Sequence, residues 1–142
     1  MRALGFAPAL ISALVAAWAP DAAWADVDAG FLGATVYTTA ADCPLQKKLV
    51  AGGPRNLNTV PETLSAKGYR SWEGGCTFTN IVERYKGRLW TVSMRCSEGA
   101  TENLPRTEVW RKAADGSLTV TADKKPTVLI ACAIEKPTAK KK

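Results

Sequence analysis

Histidine is absent from the 142 residues of this chain. Its absence removes the commonest general base, the commonest nitrogen ligand for a metal, and every serine–histidine or cysteine–histidine nucleophile. Paired carboxylates are the main acid–base chemistry that remains, and Glu73, Glu83, Glu98, Glu102, Glu108 and Asp115 are the candidates. Most of these fall at turns or on charged edges, where solvation accounts for them, and no spacing singles out two as a pair. A Ser-x-x-Lys nucleophile pattern, a phosphate-binding glycine loop and a calcium loop are all missing. The residue types therefore lead us to expect no catalytic group, no cofactor and no metal.

The cysteines carry the other chemistry. Cys43, Cys76, Cys96 and Cys132 are separated by 33, 20 and 36 positions. A zinc site would want pairs at short spacing such as C-x-x-C, so two disulfides are expected, formed in an oxidising compartment. The start of the chain agrees. Arg2 is followed by an apolar run from Leu4 to Trp18, Pro20 breaks it, and Ala23-Trp24-Ala25 offers a small-x-small cleavage pattern. Residues 1–25 thus read as a signal peptide cut before Asp26, since the run is short of the roughly 20 residues that span a bilayer. No twin-arginine pair precedes the run, which favours the ordinary unfolded export route. The expected location is periplasmic or secreted, without stable membrane insertion.

Charge adds little. The formal net charge is +6, yet Lys136, Lys140, Lys141 and Lys142 supply four of those charges in a tail, residues 135–142, that reads as disordered. The stretch from Asp26 to Glu135 carries 14 basic residues against 12 acidic. No basic groove for specific nucleic-acid binding is expected. Residues 26–134 are the size of one ordinary domain.

The elements that must position these groups come from alternation. From Cys76 to Cys96 the chain alternates and turns once at Tyr85-Lys86-Gly87. Centred on Lys86, the hairpin sets Val82 opposite Trp90, Phe78 opposite Met94 and Cys76 opposite Cys96, all on one side. Directly opposed Cβ atoms approach to about the 4 Å that a disulfide needs, and bonding them pins the register. Asn80, opposite Val92, is the one polar residue of that face. A turn at Ala114-Asp115-Gly116 sets Trp110 opposite Val120 and Lys112 opposite Leu118. A further turn through Asp123, Lys124 and Lys125 sets Val120 opposite Val128 and Leu118 opposite Ile130. Five strands follow, at about 76–83, 88–97, 105–113, 117–122 and 127–134. Four cysteines allow three pairings; with Cys76–Cys96 in place, elimination leaves Cys43–Cys132.

Ile81, Leu89, Val109 and Leu129 fall on the outward parity, so a cover or a curled sheet is expected. Upstream, Phe31 to Thr39 alternates as a strand, Gln46 to Ala51 reads as a helical turn, and Val60 to Gly68 as one or two helical turns ended by glycine. The predicted fold is a mainly β domain: a disulfide-stabilised antiparallel meander sheet or partly closed barrel with a short helical N-terminal segment.

Trp90 and Trp110 point inward as core, and Trp18 and Trp24 leave with the leader. Trp72 remains, in Gly68-Tyr69-Arg70-Ser71-Trp72-Glu73-Gly74-Gly75. Tyr69, Arg70 and Trp72 are the candidate binding residues. The turn from Ser97 to Asn103 is expected beside them, because both segments leave the two cysteines in the direction away from Lys86. Ser97-Glu98-Gly99-Ala100, followed by Val109-Trp110-Arg111-Lys112, faintly resembles the serine-glycine loop and later tryptophan–lysine segment of periplasmic inhibitors of C-type lysozyme. Those are small exported β-barrels with a disulfide, whose serine loop enters the enzyme's cleft. The likeness is confined to residues 97–112, departs from that family in cysteine placement and lacks its tyrosine after the loop. It adds Ser97 to the candidate contacts. The expected function is a non-enzymatic exported binding or inhibitor module whose partner is another envelope or secreted protein. The alternatives are a carboxylate hydrolase of cell-wall or glycan material, and an envelope accessory protein without a small ligand.

Overall fold

The structure is a computed structural model that describes residues 27–133; the expected leader and the basic tail lie outside the described residues. After a 3-10 turn at Gly30–Leu32 the elements are β1 (Tyr37–Thr38), α1 (Cys43–Val50), β2 (Thr63–Ser65), β3 (Gly68–Arg70), β4 (Gly74–Tyr85), β5 (Leu89–Glu98), β6 (Thr101–Lys112), β7 (Leu118–Ala122) and β8 (Lys125–Ala131). The strands pair antiparallel in chain order and close into a barrel, with β1 returning to β8 through Tyr37↔Ala131 and Thr38↔Ile130. Closure removes the open sheet edges that would otherwise seek partners.

The long strands are built by alternation. In β5, Trp90, Val92, Met94 and Cys96 are buried and the residues between them are not. Eight strands leave an interior just wide enough for side chains to fill. Trp110 sits at its centre, edge-on to Phe78 at 5.3 Å and to Tyr69 at 6.4 Å between ring centroids. The Gly30–Leu32 turn inserts Phe31 against this core, stacked on Trp90 at 4.1 Å. The segment entering that turn is anchored twice, by the Ala29 amide on the Ala66 carbonyl and the Val27 amide on the Phe78 carbonyl.

Both disulfides form as expected, Cys76–Cys96 directly across β4 and β5 with Cα atoms 4.0 Å apart, and Cys43–Cys132 tying α1 to the end of β8 at 5.6 Å. Phe78↔Met94, Trp110↔Val120 and Lys112↔Leu118 also pair as the turns required.

Other registers differ. A β-bulge at Thr79 passes the ladder from Phe78↔Met94 to Asn80↔Ser93, so Ile81, not Asn80, lies opposite Val92, and Glu83, not Val82, opposite Trp90. Asn80 is exposed and Ile81 packs partly against the core. The extra residue bends β4, which is how a sheet closes. The β7–β8 turn has two residues, not three. Asp123 and Lys124 both take positive φ, 47° and 66°, the conformation of a tight type I′ hairpin. Leu118 therefore faces Leu129 and Val120 faces Thr127. Leu129 is buried, against its expected outward place, and Val128 is 54% exposed.

The N-terminal expectations shift as well. Within Phe31–Thr39 only Tyr37–Thr38 is strand, and the helix runs over Cys43–Val50, with Pro44 in its first turn where a missing amide costs nothing. Val60 to Gly68 is not helical: it holds β2 and the turn into β3. Pairing of Leu64 with both Tyr37 and Tyr69 decides the conformation, and tertiary partners override a weak local preference. Gly68, with φ of 127°, lies so close to the Cys76 carbonyl that a Cβ there would collide with it.

Candidate functional site

The two segments beyond the Cys76–Cys96 bond are held together by backbone. The β4–β5 ladder continues past the cysteines through Gly75↔Ser97 to Gly74↔Glu98, and the Gly99 amide donates to the Glu73 carbonyl at 2.9 Å. Glycine is required at 74, because a Cβ there would strike the Ser97 carbonyl oxygen. The β3–β4 connection is closed from within by Ser71, whose amide (2.9 Å) and hydroxyl (3.2 Å) both donate to the Gly74 carbonyl. Trp72 sits at the tip of this doubly tied loop and is 49% exposed.

Beside it lies a depression of about 240 Å³ lined by Arg70, Thr77, Arg95, Ser97, Glu102 and Asn103, together with Gly75 and Cys96. Asn103 takes a positive φ of 61°, a conformation asparagine tolerates, and its carbonyl accepts Arg95 Nη1 at 3.2 Å. Of the four candidate contacts, Arg70 and Ser97 line one depression and Trp72 stands at the neighbouring tip. Tyr69 does not join them. It is 3% exposed, points into the barrel, and is a core residue.

Tyr69 belongs instead to an interior polar cluster that the charged-edge reading of Glu108 missed. Glu108 is buried on β6. Its Oε2 accepts the Tyr69 hydroxyl at 2.8 Å and Trp110 Nε1 at 2.6 Å. Oε1 has no hydrogen-bond partner and is balanced as a charge contact by the Arg106 guanidinium, with Nη2 at 2.5 Å. Arg106 also lies over the Tyr69 ring, 5.4 Å from its centroid. Burial, then the Glu108 charge and hydrogen bond, raise the Tyr69 phenol far above its ordinary value. Burial also raises the Glu62 carboxyl; Arg106 opposes the shift, and Glu108, Glu98 and Asp42 add to it. The signal was present: strand parity counted back from Trp110 puts Glu108 and Arg106 on the inward face. Glu108 thus contacts Arg106 and Glu62 lies within its electrostatic reach, but Glu108 is enclosed and spent on internal partners. The cluster positions core side chains.

Among the described residues no group of three or more histidine, cysteine or acidic side chains is arranged to hold a metal. No helix among them is long and apolar enough to cross a membrane. No protein-family model matches the chain, and neither a curated protein nor a solved structure shows a significant match to it.

Proposed function

We propose that this protein is an exported binding module that acts on another envelope or secreted protein, as an inhibitor or a docking partner. The contact is made by the end of the barrel that carries Trp72, Arg70 and Ser97. One observation carries the reading: a half-exposed tryptophan on a loop tied by hydrogen bonds on both sides, next to a depression holding two arginines. A large aromatic fixed before binding loses little conformational freedom on contact, and tryptophan and arginine are the residue types that dominate interface energies. Two disulfides fit an oxidising compartment. The barrel interior supports a surface role, because Trp90, Trp110, Phe78 and Met94 fill it.

The test compares wild type with Trp72→Ala and Arg70→Ala in capture from envelope or secreted extract, each protein also melted. The reading expects capture to fall at least tenfold with melting within about 2 °C of wild type, since exposed substitutions usually cost under 0.5 kcal/mol. Undiminished capture by both variants would overturn it.

A further inference from the structure

The other end of the β4–β5 ladder carries a second feature. Tyr85, Arg88, Leu89, Arg111 and Lys112, with Gly87 and the two alanines Ala113 and Ala114, line an open cleft of about 630 Å³, within the range of small-ligand pockets. Its walls are apolar at Leu89 and the two alanines, aromatic at Tyr85 (62% exposed), and cationic at Arg88, Arg111 and Lys112. No acidic residue lines it. Among the described residues none of these three cations makes an ion pair or a side-chain hydrogen bond. The two nearest acids in sequence are held by local hydrogen bonds, Glu83 at the rim of the cleft on the lining residue Gly87. Glu83 accepts the Gly87 amide at 2.6 Å, and Asp115 accepts the Ser117 amide and hydroxyl at 2.9 and 2.7 Å.

The cleft is also rigid. The Lys112 amide donates to the Arg88 carbonyl at 2.9 Å, Leu89 pairs with Arg111, and the Ala113 amide donates to the Ser117 carbonyl. Neither neighbouring acid forms an ion pair with these cations among the described residues, so an anion entering the cleft meets basic side chains that hold no counter-charge contact. Arginine forks match carboxylate, sulfate and phosphate oxygens, and an exposed tyrosine ring offers a face against which a ring can stack.

We infer that this cleft is a binding site for an acidic saccharide, a sugar ring bearing carboxylate, sulfate or phosphate, with the oxyanion between Arg88, Arg111 and Lys112 and the ring against Tyr85. A concave site favours a single inserted group over a flat anionic membrane, which would meet protruding side chains. The site is about 30 Å of strand away from the Trp72 loop, from roughly nine residues at about 3.3 Å each, so its fate is independent of the contact proposed there.

The probes are a sulfated uronate disaccharide and neutral cellobiose, titrated calorimetrically at low and physiological salt. Saturable sub-millimolar binding of the charged sugar, with none of cellobiose, is expected. Arg88→Gln/Arg111→Gln lowers affinity at least tenfold and Tyr85→Ala severalfold, while Lys47→Gln/Lys48→Gln on α1, which removes the same charge elsewhere, leaves it unchanged. Thermal melts establish that each variant is folded. Equal loss in the α1 variant, equal binding of cellobiose, or binding only to anionic phospholipid vesicles would each overturn the assignment.

Discussion

Glu108 should be the costliest single polar residue to remove. Substitution by alanine leaves two buried donors, the Tyr69 hydroxyl and Trp110 Nε1, without an acceptor, and removes the ion-pair partner of Arg106. An orphaned buried donor costs about 1–3 kcal/mol. Breaking a buried ion pair costs about 3–5 kcal/mol, but the Arg106 side chain is 34% exposed, so water relieves part of its charge. We expect a loss of about 4 kcal/mol for Glu108→Ala, a large share of the roughly 5–15 kcal/mol that stabilises an ordinary domain. Glu108→Gln keeps the shape and one acceptor and should lose about half as much. Urea unfolding followed by tryptophan fluorescence, with the slope held constant, measures both. A loss below 1 kcal/mol for the alanine variant would refute the claim that this carboxylate organises the core.

Three further outcomes follow from the same geometry. The Tyr69 phenol is raised above its ordinary value of 10.0 in the folded protein, so its contribution is present below about pH 10 and lost as pH rises beyond it. Wild type should weaken there more steeply than Tyr69→Phe in pH-dependent denaturant melts. Glu62 is also raised, above 4.5; its folded form favours the proton, so Glu62→Gln should be more stable than wild type at pH 7, with the advantage vanishing below about pH 4.5. Chain-entropy arguments assign about 3 kcal/mol to Cys76–Cys96 and about 4.5 kcal/mol to Cys43–Cys132, from separations of 20 and 89 residues. Paired Cys→Ala variants compared by urea unfolding should keep that order.

Much of the C-terminal barrel was legible because β4 to β8 alternate over whole strands and are joined by short turns. One correct pairing, Cys76 with Cys96, then constrained the other disulfide. Misreadings began where a single residue changes parity. The Thr79 bulge has no glycine or proline to announce it, and the β7–β8 turn places Asp123 and Lys124 at positive φ where glycine or asparagine is the usual signal. Strands β1 to β3 hold two or three residues each, too few for a period to be read, and exist because neighbours pair with them. At the candidate site, Trp72 and Arg70 are legible through loop composition, Ser97 enters through the family resemblance, and chain order places its turn beside them. Tyr69 was misplaced because β3 was invisible. Glu108 was passed over because acidic residues are almost never fully buried unless paired, and its pairing is tertiary.

The most direct test of the proposed contact surface is amide hydrogen exchange of the mature protein, free and bound to the partner it captures. The account predicts new protection concentrated at residues 70–75 and 97–103, with the Lys86 hairpin tip unchanged. Protection confined to residues 85–89 and 111–114, or to the outer strands around Val109 and Val128, would contradict it.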